Sequence, residues 1–183
     1  INYGGQKVWT WANQEAGALM ARMHMPLSVR NSTISQSKRL GIDLFQAAPY
    51  GDLTVGAVIE GNTFFDNDSF HLKMPTCNLK DLKNNTFIDN AIYLFGTGET
   101  ITESFSLDYQ GAPFIVTNTF TIGGSSDTVV VELNSNNCLK FMKDVQIKVG
   151  LNSGLKAKGT TFTRYDTLPW HGIQFDNALS DSC

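Results

Sequence analysis

Charge is scarce in this chain. Asp, Glu, Lys and Arg make up 17% of the 183 residues, and the net charge is −3. No run of Lys or Arg is present, which excludes the basic patch needed to grip nucleic acid or an anionic membrane surface. No apolar stretch approaches the roughly 18 residues of a membrane-spanning helix. Only three cysteines occur, Cys77, Cys138 and Cys183, and none forms a C-x-x-C pair, which argues against a zinc or redox site. They leave two readings open: small buried hydrophobes, or one internal bridge with Cys183 left to link another chain. Catalytic signatures are missing as well. There is no G-x-S-x-G and no H-E-x-x-H, and Gly123-Gly124-Ser125-Ser126 lacks the lysine and following helix of a phosphate loop. No metal or cofactor is expected from these residues. The chain opens on Ile1 with neither an initiator Met nor a signal peptide, so a mature or excised piece of something longer is expected.

In place of charge there is Asn, Thr, Ser and Gln. These residues disfavour long helices and suit strands and turns. The central stretch Val58–Leu94 repeats one phrase. Gly61-Asn62-Thr63-Phe64 matches Asn84-Asn85-Thr86-Phe87, Phe65-Asp66-Asn67 matches Ile88-Asp89-Asn90, and Phe70-His71-Leu72 matches Ile92-Tyr93-Leu94. The spacing is 23 residues, inside the range that marks a solenoid or propeller. Related phrases recur at Leu27–Ile34, Pro113–Phe120, Cys138–Met142 and Leu155–Phe162, the first followed by Gly41–Leu44 and the last by Trp170–Phe175. Loops are expected at Gln46–Thr54 and from Gly96 through Tyr109. Val8–Trp11 alternates, and Leu19–Met25 favours a strand over the helix that Gln14–Met23 would also allow.

The expected fold is all-β: a right-handed parallel β-helix, or solenoid, of roughly 6–8 coils in one domain over residues 1–183. Residues 1–25 form a first coil with an insertion loop, 26–175 the repeated coils, and 176–183 a C-terminal tail. In such a coil one phase points inward, and Ile34, Phe64, Phe87, Phe120, Phe141 and Phe162 are expected to stack as a column. Asn31, Asn62, Asn85 and Asn118 are expected to form a polar column, because Asn tolerates the left-handed turn and stacked amides bond to one another. An antiparallel sandwich is the competing arrangement.

The phrases resemble the right-handed β-helix repeat modules of large bacterial secreted and cell-surface proteins. Ile1-Asn2-Tyr3-Gly4-Gly5 is similar to their I-x-Y-G-G strand, Asn31–Ile34 to the turn after it, Pro113–Val149 to their extended coils, and Trp170–Phe175 to their W-x-G-I-x-F strand. In those modules the W-x-G-I-x-F strand precedes I-x-Y-G-G; here the order is reversed, as if the end should run into its own beginning. The resemblance implies a secreted or cell-surface location and carries over no active-site residue. It implies a structural or adhesive module that stacks head to tail on another copy of itself, as a filament subunit or within a longer surface protein, through Ile1, Tyr3, Trp170, Ile173, Phe175 and Cys183.

The alternative is a carbohydrate-active or carbohydrate-binding β-helix of the polysaccharide lyase, glycosidase or tailspike kind, with polysaccharide as partner. Asp66 and Asp89, at equal phase on adjacent coils, would then be paired carboxylates and His71 a general base. Trp9 and Trp11 would stack on sugar rings. The structural counterpart is a turn for the two aspartates, packing over a coil end for the tryptophans, and satisfied structural roles for His24 and His171. Asn-x-Ser/Thr triplets begin at Asn31, Asn67 and Asn84, and Asn67 is the expected surface acceptor for glycosylation.

Overall fold

A chain that places a left-handed residue at the same phase of each repeat turns its strands through the same corner each time. That is what the backbone does here. In a computed structural model, which describes residues 17–22, 27–45, 57–96, 98–123 and 127–176, Asn31, Gly61 and Asn84 take φ of 48°, 65° and 54°, while Asp66 and Asp89 take 51° and 63°. These residue types carry the left-handed conformation at low cost. The result is a parallel β-solenoid of about 6 turns. By its internal contacts the chain divides into two compact units, residues 1–93 with 110–112, and residues 94–109 with 113–183.

In the first unit three kinds of strand alternate along each coil and pair in parallel with their counterparts on the next. Leu27–Arg30, Ala57–Glu60 and Leu82–Lys83 form one face. Thr33–Ser35, Thr63–Phe65 and Thr86–Phe87 form the second. Gly17–Arg22, Leu40–Phe45 and Leu72–Pro75 form the third. Residues alternate in and out with the two-residue period of a strand, so Val29, Ile59 and Leu82 fill the interior beside Ile34, Phe64 and Phe87 and beside Ile42 and Leu72. The Phe64 and Phe87 rings stack with centroids 4.4 Å apart and planes 11° from parallel. A short 3₁₀ helix, Thr76–Asp81, replaces a plain corner between Leu72–Pro75 and Leu82–Lys83.

The second unit repeats the plan. Phe105–Leu107, Val129–Leu133 and Ser153–Ala157 make one parallel sheet. Phe114–Val116, Cys138–Phe141 and Thr161–Arg164 make another. Thr100–Ile101, Phe120–Ile122, Gln146–Val149 and Gly172–Phe175 make the third. Its interior holds Leu107, Phe114, Phe120, Ile122, Val131, Leu139, Phe141, Ile147 and Val149.

Two sequence expectations change and one open choice is decided. The phenylalanine column holds for Ile34, Phe64 and Phe87 and then ends: Phe120 pairs with Ile147, Phe141 with Val116 and Arg164, and Phe162 with Leu139, on two different faces. An inward aromatic fits any face, so its identity does not fix its column. The segment from Gly96 through Tyr109 is no loop excursion but supplies the strands Thr100–Ile101 and Phe105–Leu107. The first strand covers Gly17–Arg22, so the extended alternative prevails there over the helical one. The expected strand at Val8–Trp11 and loop at Gln46–Thr54 lie outside the described residues.

Candidate functional site

Buried polar side chains gather at two corners of the first unit, and the sequence-predicted acid–base group sits at one of them. The first corner follows Leu27–Arg30, Ala57–Glu60 and Leu82–Lys83. Here a side-chain oxygen of each coil accepts the backbone N–H of the coil before it. Ser32 N–H donates to Asn62 Oδ1 (2.9 Å), Asn62 N–H to Asn85 Oδ1 (3.0 Å), and Asn85 N–H to Gln110 Oε1 (3.0 Å). The amide nitrogens reach the other way: Asn62 Nδ2 donates to the Val29 carbonyl and Asn85 Nδ2 to the Ile59 carbonyl, each at 2.8 Å. Each amide therefore satisfies backbone groups that the corner takes out of the strand ladder, which buried backbone requires. In the second unit Asn137 Nδ2 donates to the Leu107 carbonyl (2.9 Å), and Thr160 Oγ1 to the Leu133 carbonyl (3.2 Å).

This corrects the expected asparagine column. Asn62 and Asn85 belong to it. Asn31 sits one residue early, at the left-handed position shared with Gly61 and Asn84, and Ser32 holds its place in the column. Asn118 accepts a local bond from Thr117 Oγ1 (2.8 Å). Gln110 joins the column, and its different side chain hid it from the sequence pattern.

The second corner follows Thr33–Ser35, Thr63–Phe65 and Thr86–Phe87. Asn67 is buried. Its Oδ1 accepts Ser37 N–H (3.1 Å), and its Nδ2 donates to the Ile34 carbonyl (3.2 Å) and to His71 Nδ1 (2.9 Å). One coil on, Asn90 Nδ2 donates to the carbonyls of Asn67 and Ser69. His71 is 1% exposed, and its Nε2–H donates to the Ile88 carbonyl at 2.6 Å. The ring lies beside the Phe64–Phe87 stack, with centroids 6.2 and 6.1 Å away. Burial among these rings pushes the imidazole below its ordinary value of 6.5; the hydrogen bond to Ile88 and the charges of Asp89 and Asp66 oppose that push without cancelling it.

The structure thus brings Asp66, Asp89 and His71 to one corner, but at different depths. Both aspartates are exposed and occupy the left-handed turn positions. His71 lies beneath the surface with both ring nitrogens engaged. To take a substrate proton it would first have to surrender a hydrogen bond. Asp68, beside them, pairs with Lys38 of the preceding coil at 3.8 Å. Among the described residues no group of three or more His, Cys, Asp or Glu is arranged to hold a metal ion. No helix among them is long and apolar enough to cross a membrane.

Of the expected end-interface residues, Trp170, Ile173 and Phe175 are described, while Ile1, Tyr3 and Cys183 lie outside the described residues, as do Trp9 and Trp11. Trp170 stacks on Phe141 with centroids 4.3 Å apart. Ile173 and Phe175 belong to the outermost strand of their sheet, Gly172–Phe175. His171 is exposed and lies 3.3 Å from the Asp144 carboxylate, while His24 lies outside the described residues. Cys77 and Cys138 are both half-buried. The glycosylation expectation reverses: Asn67 is buried with its amide nitrogen committed, whereas Asn31 and Asn84 are exposed. No family model, curated protein or solved structure matches the chain.

Proposed function

We propose that this chain is a non-catalytic structural or adhesive module, secreted or displayed at a cell surface, that stacks end to end on another copy. The observation that carries the reading is the contrast between the last described coil and the one before it. Leu139, Ile147 and Val149 are 2%, 1% and 0% exposed. Their in-register successors are Phe162, Ile173 and Phe175. Phe162 and Ile173 are half-buried, and Phe175 is 46% exposed. The phase is the same, and the difference is that no described strand follows. Thr161–Arg164, Gly172–Phe175 and Ser153–Ala157 are each outermost in their sheets. A strand edge of this kind is a template for further pairing. A head-to-tail contact that does not close on itself yields a filament.

The bacterial repeat-module resemblance supports the same reading, since W-x-G-I-x-F and I-x-Y-G-G would be neighbours across such a joint. A carbohydrate-active reading draws support from Asp66, Asp89 and His71 sharing one corner, but the engagement of both His71 nitrogens weighs against it as a general base. The test is light scattering coupled to size exclusion over a concentration series, with negative-stain microscopy, on the wild type and on Phe175→Asp with Ile173→Asp. End-to-end assemblies that the double variant abolishes, with unchanged far-UV circular dichroism, support the proposal. A wild type that stays monomeric to its solubility limit overturns it.

A further inference from the structure

His71 is a titratable group sealed inside a corner whose hydrogen bonds admit only one of its protonation states. Asn67 cannot choose its orientation. Its Oδ1 takes a backbone N–H from Ser37 and its Nδ2 serves the Ile34 carbonyl, so turning the amide over would set donor against donor at Ser37 and acceptor against acceptor at Ile34. Nδ2 is therefore the atom that faces His71, and His71 Nδ1 must be a bare acceptor. On the other side of the ring the Ile88 carbonyl accepts, so Nε2 must carry the hydrogen. Backbone groups of two flanking coils thus dictate a neutral imidazole with its proton on Nε2.

We propose that His71 is an acid-sensitive latch: a proton gained at Nδ1 sets N–H against the N–H of Asn67 and releases the corner that ties the Thr63–Phe65 coil to the coil before it. A proton from solvent is the only species added. Once Nδ1 carries it, either the amide gives up its bond to His71, or it turns over and loses its bonds to both Ser37 and Ile34. The latter two hold this coil to its predecessor. The charged groups bearing on the ring are Asp89 on the following coil and Asp66 on its own. The preceding coil presents the uncharged Ile34 and Ser37 there, with Lys38 drawn to Asp68. The two carboxylates attract the incoming proton without cancelling the opposing effect of burial. The ring's burial against the Phe64–Phe87 stack opposes the charge, so the neutral form holds at pH 7. Opening at this corner would bare the stacked phenylalanines.

The sign follows from proton counting. The unfolded chain takes up the proton near pH 6.5, the folded chain only at lower pH. Between those points the unfolded state binds more protons, so stability is full above about pH 6.5 and falls as pH drops below it. The unfolding equilibrium constant should rise about tenfold per pH unit in that window, equivalent to about 1.4 kcal/mol.

The experiment has two arms. Nitrogen-15 NMR of the intact wild type reads the His71 tautomer and its titration, together with the protection of the Ser37 amide. Urea unfolding between pH 7.5 and about pH 5 reads the slope in the wild type, in His71→Gln and in His171→Gln. A neutral Nε2–H ring at pH 7, protonating below pH 6.5, with a slope lost in His71→Gln and kept in His171→Gln, supports the proposal. If His71→Gln does not fold, Ser37 protection in the wild type decides: a tenfold fall per pH unit supports the latch, and constant protection overturns it. An Nδ1–H ring at pH 7, or a slope that survives in His71→Gln, also overturns it.

Discussion

Replacing Asn85 with alanine measures what the amide column contributes to the fold. Asn85 Oδ1 is the acceptor for the Asn62 backbone N–H at 3.0 Å and sits 3.1 Å from Asn62 Nδ2, while Asn85 Nδ2 donates to the Ile59 carbonyl at 2.8 Å. Asn62 Nδ2 keeps its bond to Val29, so the orphaned groups are one backbone N–H and one backbone carbonyl, both inside the corner. A buried polar group left without its partner costs about 1–3 kcal/mol, the carbonyl at the lower end because it has a second lone pair. The expected loss is about 2–5 kcal/mol, a large share of a domain's usual 5–15 kcal/mol. Asn85→Asp separates hydrogen bonding from shape. It keeps the acceptor for Asn62 but turns an oxygen toward the Ile59 carbonyl and toward Gln110 Oε1, 3.3 Å from the present nitrogen. The aspartate should therefore be worse than the alanine at pH 7. It should recover in acid, because a carboxyl whose folded pKa is raised loses stability as pH rises through the interval from its unfolded to its folded value. Urea unfolding followed by far-UV circular dichroism at pH 7 and pH 4 is the assay. An alanine variant within about 0.5 kcal/mol of wild type would refute the column's role. So would an aspartate variant insensitive to pH.

Phe87→Ala should cost about 3–5 kcal/mol by urea unfolding, since a fully buried ring is removed. A double-mutant cycle with Phe64→Ala should show about 0.5–1.5 kcal/mol of coupling from the 4.4 Å stack. Gly41→Ala should cost about 1–3 kcal/mol by thermal or urea unfolding, because an added Cβ would stand 2.4 Å from the His71 carbonyl oxygen, a backbone atom with no freedom to withdraw. Asp66→Asn should stay within about 0.5 kcal/mol of wild type, while Asp66→Ala should lose about 1–2 kcal/mol at the left-handed turn; a calorimetric scan distinguishes the two. Folded protein recovered from a glycosylating host should carry glycan at Asn31 or Asn84 and none at Asn67, as read by peptide mass spectrometry.

Much of the solenoid was legible because residues 61–67 and 84–90 repeat letter by letter in chemistry, and a solenoid coil is the structure that gives equal phase equal surroundings. The pairing Phe64 with Phe87 and the matched turns at Asp66 and Asp89 followed from that alone. The coil from Gly96 to Ala112 was not legible. Its strands are two and three residues long, and its corner residue is Gln110 where neighbouring coils have asparagine. The 3₁₀ turn at Thr76–Asp81 was missed because a corner inserted outside the repeat has no counterpart to compare with. At the candidate site, sequence grouped Asp66, Asp89 and His71, which share a corner, but could not assign depth. The same Asn-Asp-Ser context that reads as surface loop encloses a buried Asn67 and places His71 under it.

The errors share a physical cause. An inward position of a solenoid accepts Ile, Leu or Phe on any face, because burial is non-directional and only volume must match. Counting from one phenylalanine to the next therefore slipped from one face to another after Pro113. A buried amide is different: it is tolerated only where two particular backbone groups are left over, one N–H and one carbonyl, on either side of a corner. Moving Asn85 by one residue would strand the amide and both backbone groups at once. Apolar residues thus supply most of the burial energy of this fold and little of its register, while a handful of corner amides fix the register. Asn31 shows the limit of that rule, since the left-handed residue and the ladder residue are adjacent and asparagine suits both. The two were separable only through the amide's partners, which the structure gives as Ser32 N–H and Val29 O for Asn62. A search for such corners should therefore align the residue that follows the left-handed position, and allow Ser, Thr and Gln there beside Asn.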